Sequence, residues 1–247
     1  MGLRQYLMKY KAERYRYVYV SEIFYSIQGE GVTAGTPSVF IRTRGCNLNC
    51  SWCDTKDVWI HGKPYTFEEL VDEVLKHIHS PHSPPHIVIT GGEPLLRQNE
   101  LTIFLTLLKT KVQNMFVEVE TNGTIKPSDE FDRYVSLYNV SPKLANSHVP
   151  EFMRIKRNVI EWFAKSCKAF FKFVIEDEKD VEEIVYNSSI ADILMTHARD
   201  RILLMPQSQT RDEYLKLAPK IIELCKKYGF RFSPRLQIEI YDKKTGV

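Results

Sequence analysis

The chain of 247 residues carries 34 Lys and Arg against 31 Asp and Glu, for a net charge of +3, with 43% hydrophobic and 26% charged residues. These proportions fit a water-soluble globular protein with one α/β domain or two small ones, and they argue against a dedicated nucleic-acid binder. No apolar run approaches the roughly 18–20 residues of a membrane span, so no membrane partner is expected. Met1-Gly2-Leu3-Arg4-Gln5-Tyr6 has neither a signal-peptide apolar core nor a myristoylation motif. Cys167 and Cys225 stand far apart, so a reducing compartment, the cytoplasm, fits better than a disulfide framework. Residues 1–16 set Arg4, Lys9, Lys11, Arg14 and Arg16 against Glu13 alone. This +4 stretch reads as a solvated basic leader ahead of a single domain over residues 17–247.

Tyr17–Tyr25 is apolar, aromatic and β-branched, which predicts a strand or extended entry segment. It runs into Ser26-Ile27-Gln28-Gly29-Glu30-Gly31 and Thr33-Ala34-Gly35-Thr36-Pro37, where glycines and a proline mark an ordered loop making a close approach. Strand 38–44 follows, then the loop Gly45-Cys46-Asn47-Leu48-Asn49-Cys50-Ser51-Trp52-Cys53-Asp54-Thr55. Thr66-Phe67-Glu68-Glu69 carries a capping-box pattern, and Leu70, Val71, Val74, Leu75 and Ile78 form one apolar helix face. Strand 86–90 ends in Gly91-Gly92-Glu93-Pro94. A helix over 97–110 leads to strand 115–121, which ends in Asn122-Gly123. Strand 135–140 precedes Ser141-Pro142-Lys143. Beyond it come a helix near 150–166, strand 169–175, a helix near 178–188, strand 201–205, a helix over 210–228 closed by Gly229, and a last strand over 231–240. Alternation of this kind predicts an α/β fold with a mainly parallel sheet, an open and incomplete (β/α) barrel of six or seven strands. Its active site should lie at the C-terminal ends of the strands.

Three of the five cysteines fall in the pattern C-x3-C-x2-C on a loop leaving a strand. A loop can fold three thiolates around one centre, which a continuous helix or strand at this spacing cannot. Structural zinc takes four protein ligands, whereas iron–sulfur clusters are held by thiolates. Held by three cysteines, a four-iron, four-sulfur (4Fe-4S) cluster keeps one iron open for a small molecule. A zinc site completed by a distant histidine is the other reading of the spacing. Gly91 and Gly92 let backbone approach a ligand closely, or else form a tight strand-to-helix turn. Glu118 and Glu120 share one strand face opposite Val117 and Val119, and a carboxylate there needs a partner or a ligand. Ser141–Lys143 and Met205-Pro206-Gln207-Ser208 end later strands at the same rim. His77, His79, His82 and His86 stand outside these motifs, at a helix end and connector.

The cysteine loop, with an aromatic residue directly before its last cysteine, resembles the radical S-adenosylmethionine (SAM) superfamily. Adding Ser26–Gly31, Gly35-x-Pro37, Phe40-Ile41-Arg42, Cys53-Asp54-Thr55 and Gly91–Pro94, the set resembles the 7-carboxy-7-deazaguanine synthase family. The likeness is dense over residues 25–96 and thinner beyond, through Glu120–Gly123, Ser141–Lys143, Pro206-Gln207 and Gln237. It implies a partial barrel of radical SAM type that converts 6-carboxy-5,6,7,8-tetrahydropterin to 7-carboxy-7-deazaguanine with loss of ammonia, toward queuosine or archaeosine. It further implies a 4Fe-4S cluster on Cys46, Cys50 and Cys53, with SAM at Trp52, Asp54, Gly92, Glu93, Glu120, Ser141, Pro142, Lys143 and Gln207. Pterin contacts would come from Ile27, Gln28, Gly29, Arg42 and Thr90, with Mg2+ on the Thr55 hydroxyl. A flavodoxin- or ferredoxin-type electron donor and a homodimer are implied as partners, and no protein acid or base is expected. Where the family often carries Gln-x-His, this chain has Gln237-Ile238-Glu239, which puts that segment's contribution in question. A glycyl-radical activating enzyme shares the cysteine spacing, but not the loops at Gln28–Gly31 and Gly35–Pro37. A non-catalytic zinc protein is the rival from outside the superfamily.

Overall fold

The computed structural model describes residues 16–78, 84–244 and 246; the basic leader up to residue 15, together with His79 and His82, lies outside them. The strands are β1 (Val18–Ile27), β2 (Pro37–Thr43), β3 (Lys63–Tyr65), β4 (His86–Gly91), β5 (Phe116–Thr121), β6 (Leu137–Val140), β7 (Ala169–Ile175), β8 (Ile202–Pro206) and β9 (Arg231–Phe232). They form one nine-stranded sheet in the order β3-β1-β2-β4-β5-β6-β7-β8-β9. From β2 to β9 along the sheet every pairing is parallel, and only β1 runs against the rest, pairing antiparallel with β2 on one side and with the edge strand β3 on the other. The sheet does not close on itself: it is the open (β/α) barrel expected, extended by two edge strands.

The two faces of the sheet are chemically distinct. Val39, Ile41, Ile87, Ile89, Val117, Val119, Val140, Phe171, Phe173, Ile202 and Leu204 face outward and merge with helix side chains into one apolar core. Among those helix residues are Leu70 and Val74 of Phe67–Lys76 and Leu101, Phe104 and Leu108 of Gln98–Lys111. The alternate positions, including Arg42, Thr90, Glu120, Asn139 and Lys172, line a cavity inside the curve of the sheet. Buried parallel strands usually read as continuous apolar runs; these alternate because one face serves a polar interior.

Local chemistry explains the helix ends. Thr66 Oγ1 accepts from the Glu69 N–H at 3.2 Å while Glu69 Oε2 accepts from the Thr66 N–H at 2.8 Å, so the capping box is complete. Gly229 closes helix Arg211–Tyr228 in the left-handed region, at φ 73°. Elsewhere the sequence reading is corrected. The helix near 150–166 breaks into Glu151–Arg154 and Arg157–Lys165, because buried Arg154 turns its guanidinium onto the Val149 and Lys143 carbonyls. Glu178–Glu182 passes into a π-helical turn, and a further helix forms over Ala191–His197. The predicted strand 231–240 pairs only at Arg231–Phe232, and Leu236–Tyr241 is helical. Pro234 has no N–H to continue the ladder. The alternation of Leu236, Ile238 and Ile240 imitated a strand, yet Ile240 is exposed and only Ile238 is buried.

At the floor of the cavity the Glu118 carboxylate is fully buried. It accepts from Gln28 Nε2 (2.7 Å), Thr33 Oγ1 (2.6 Å) and Asn139 Nδ2 (2.5 Å), with His86 Nε2 at 3.0 Å. His86 therefore belongs to the floor of the sheet rather than to a connector. Because Glu118→Ala would leave those donors buried without an acceptor, it should destabilise the fold by roughly 3–5 kcal/mol, read by chemical denaturation. A loss below about 1 kcal/mol would mean that the floor relaxes freely.

Candidate active site

The cavity holds about 560 Å³ and opens at the C-terminal ends of the parallel strands. Its rim is the cysteine loop, which starts where β2 ends. Gly45, at φ 93°, turns the chain, and its N–H donates to the Trp59 carbonyl at 3.0 Å. Asn47 ties the loop to β5, donating to Thr124 Oγ1 at 2.8 Å and accepting from Asn122 Nδ2 at 2.9 Å. On the other side the Ser51 N–H donates to the Ser147 carbonyl at 3.1 Å, and Trp52 Nε1 to Asn146 Oδ1 at 3.2 Å.

Cys46, Cys50 and Cys53 all line the cavity. Burial pushes the Cys46 thiol up to about 11 and raises Cys50, with Lys143 opposing both shifts. Such thiols ionise for a cationic partner, which is how metal ligands behave. N–H groups of Leu48 and Trp59 point at Cys46 and Cys53 sulfur, each at 3.4 Å, as around iron–sulfur clusters.

The Gly91–Gly92 turn is held to glycine by packing as well as by its place on the cavity. A Cβ on Gly92 would lie 2.3 Å from the Gly45 carbonyl oxygen and 2.6 Å from Cys46 Cβ, and one on Gly91 would lie 2.4 Å from Thr43 Oγ1. The glycines let this turn press on the cysteine loop, and the Glu93 N–H donates to Gly45 O at 2.9 Å. The Glu93 side chain braces the turn: fully buried, it accepts from Leu95 N, Thr121 Oγ1 and Asn122 N at 2.7–3.0 Å. Pro142 likewise is buried outside the cavity lining, whereas Ser141, Lys143 and Gln207 lie on it. Lys143 Nζ donates to Ser141 Oγ at 2.9 Å and sits over the Trp52 ring.

Below the cysteines, Ile27, Gln28, Gly29, Arg42 and Thr90 line the cavity. Arg42 Nε donates to Glu22 Oε1 at 2.7 Å. The Gln28 amide is held by its neighbours: Nε2 donates to Glu118 and Glu120, and Oε1 accepts from the Glu30 N–H, which leaves one lone pair of Oε1 toward the cavity. The Thr55 hydroxyl makes no capping bond to the short helix Lys56–Trp59 and lies 3.9 Å from Cys53 Sγ.

Two cations escaped the sequence reading. Lys172 on β7 is 2% exposed and donates to Glu30 Oε2 at 2.6 Å and Glu120 Oε2 at 3.0 Å. Arg235, after β9, donates to Glu30, Asp54 and the Ser208 carbonyl. Burial alone would raise the Glu30 carboxyl, but Lys172 and Arg235 outweigh it and hold it down to about 2. Burial raises Glu120 despite Lys172, with Glu30 and Glu118 adding to the shift. A lone Lys inside Ala169–Ile175 was the available signal, since an unpaired ammonium does not stay buried.

The chain matches the Radical SAM superfamily over residues 40–186. It is 38% identical over 235 residues to the 7-carboxy-7-deazaguanine synthase of Pyrobaculum aerophilum, covering 93% of this chain and 97% of that protein. The enzyme of that name from Hyperthermus butylicus is 35% identical over 223 residues, covering 89% and 91%. Among solved structures, QueE from Escherichia coli is similar at a TM-score of 0.62 and 25% identity, covering 88% of this chain and 93% of that one.

Gly92→Ala should abolish iron loading as fully as Cys50→Ala, because its methyl displaces the cysteine loop. Cys225→Ala, in the outer core, should leave loading intact. Iron content and visible absorbance of anaerobically purified protein decide this; a normally loaded Gly92→Ala would contradict the packing argument.

Proposed function

Because the chain belongs to the 7-carboxy-7-deazaguanine synthase family of the radical SAM superfamily, we propose that its cavity converts 6-carboxy-5,6,7,8-tetrahydropterin to 7-carboxy-7-deazaguanine. Ammonia is lost in this step of 7-deazapurine biosynthesis toward queuosine or archaeosine. The observation that carries the reading is one cavity with three thiols on its rim and Arg42, Thr90 and Glu30 beneath them. When bound, the 4Fe-4S cluster and SAM supply the electron and the hydrogen-abstracting radical.

Cys46, Cys50 and Cys53 hold the cluster. SAM is held by Trp52, Asp54, Gly92, Glu120, Ser141, Lys143 and Gln207, with Glu93 and Pro142 shaping the turns behind them. Arg42 grips the substrate carboxylate in this reading, oriented by its bond to Glu22. Asn139 Oδ1 and Gln237 Oε1 are buried acceptors without protein partners among the described residues, and both residues line the cavity. The N–H donors of an aminopyrimidinone ring can satisfy them. The Thr55 hydroxyl, whose hydrogen-bond partner is Cys53 Sγ, is an oxygen ligand for Mg2+, which keeps most of its shell as water and substrate oxygens. Among the described residues no helix is long and apolar enough to cross a membrane. A cytoplasmic, single-domain enzyme, dimeric and reduced by a flavodoxin- or ferredoxin-type protein, completes the proposal.

An anaerobic assay that follows 5′-deoxyadenosine and 7-carboxy-7-deazaguanine separately tests this. Wild type should form both. Arg42→Lys replaces a planar fork by a point charge, so deazaguanine formation should fall by about 10-fold or more, roughly 1.4 kcal/mol. SAM cleavage without substrate should survive. No deazaguanine from wild type sinks the reading; an undiminished Arg42→Lys sinks only the anchoring role.

A further inference from the structure

Lys172 has no part in the roles assigned above, yet it stands at the centre of the cavity wall. It sits mid-strand on β7, and a buried ammonium persists only where anions neutralise it. Two do, from distant parts of the chain: Glu30 from the loop after β1, and Glu120 from β5. Both carboxylates line the cavity, as Lys172 does. Their other neighbours are unequal. Glu30 also has Arg235 at 3.1 Å and Gln237 Nε2 at 2.6 Å. Glu120 has the neutral Gln28 amide at 3.1 Å, and Lys172 is the one cation bonded to it among the described residues.

We propose that Lys172 is a positioning residue for the reaction, holding Glu30 and Glu120 ionised and side by side on the wall that meets the substrate. The claim rests on the deazaguanine-forming reading of the cavity. The charged groups of this cluster are Glu30 and Glu120, with Glu118 beneath, set against Lys172 and Arg235; Glu22, Arg42, Asp54, Asp57 and Lys143 line the same cavity. Without Lys172, Glu118 and Glu120 share the lower wall with no ammonium between Glu120 and Glu30, and Arg235 remains engaged by Asp54. Burial and the neighbouring carboxylates then favour a protonated Glu120. A protonated carboxyl gives up acceptor capacity toward substrate N–H groups and can rotate away from Gln28. The sign follows directly: a carboxyl that binds its proton more tightly loses its ionised form at higher pH. The acid limb of kcat/KM therefore moves upward.

The test follows 7-carboxy-7-deazaguanine formation by wild type, Lys172→Met and Lys172→Arg, each cluster-loaded, across the pH range in which wild type stays folded. Lys172→Met should move the acid limb up by about one pH unit or more, with KM raised about 10-fold. Lys172→Arg keeps the charge and should keep the wild-type acid limb while raising KM. A Lys172→Met enzyme with wild-type limb and KM overturns the proposal, as does a Lys172→Arg limb displaced as far as that of Lys172→Met. If Lys172→Met does not fold, Lys172→Met combined with Glu120→Gln removes one charge of each sign. A folded, iron-loaded double variant supports the electrostatic account, and an unfolded one overturns it. Absence of product from wild type would instead remove the functional reading, and this role with it.

Discussion

The Glu30 carboxylate is the joint on which the cavity depends. It receives Lys172 from β7 and both Arg235 and Gln237 from the segment after β9, and Arg235 passes the connection on to Asp54 in the cysteine loop. Rim, wall and C-terminal helix are thereby fixed relative to one another by charge-assisted bonds in a dry interior, where such bonds are strong and an unpaired ion is costly. The partners lie 142 and 205 residues away along the chain. Closing loops of that length is worthwhile only when the whole sheet is in place.

A polar concave face backed by an apolar convex one is what makes this possible. Outward-facing Val, Ile and Phe side chains bury against the helices and supply most of the driving force. The inward face contributes little hydrophobic gain and carries instead Glu118, Glu120, Asn139 and Lys172, none of which is tolerable alone. Glycines complete the arrangement where backbones must touch. Gly92 packs the turn after β4 against the cysteine loop, and Gly29 leaves room for Gln237, whose Oε1 would lie 1.9 Å from an added Cβ.

What could be read from sequence follows from range. The cysteine loop, the Thr66 capping box and the strands β2 and β4 to β8 declare themselves through spacing and periodicity within a few residues, whereas the three-residue edge strand β3 is too short to do so. The hydrogen-bond partners of Gln28 and Glu93 do not declare themselves, because they include Glu118, Thr121 and Asn122, far away in the chain. Gly91 and Gly92 stand out in the sequence as sites of close approach, and the packing of this turn on Thr43, Gly45 and Cys46 is a second demand on them that only the fold reveals. Arg235 sat inside a stretch whose alternation imitated a strand, and only Pro234 hinted that the ladder ends there. The likeness to a known family located most of the cavity lining; it could not show that Glu93 and Pro142 shape the wall from behind.

In the proposed function 6-carboxytetrahydropterin lies in this cavity with the hydrogen on its carboxylated carbon facing SAM. Substrate deuterated at that carbon is the decisive probe, with 5′-deoxyadenosine analysed by mass spectrometry after anaerobic turnover. Deuterium should appear in 5′-deoxyadenosine, formed together with 7-carboxy-7-deazaguanine. Deazaguanine accompanied by unlabelled 5′-deoxyadenosine, with deuterium exchanged into water, would contradict it.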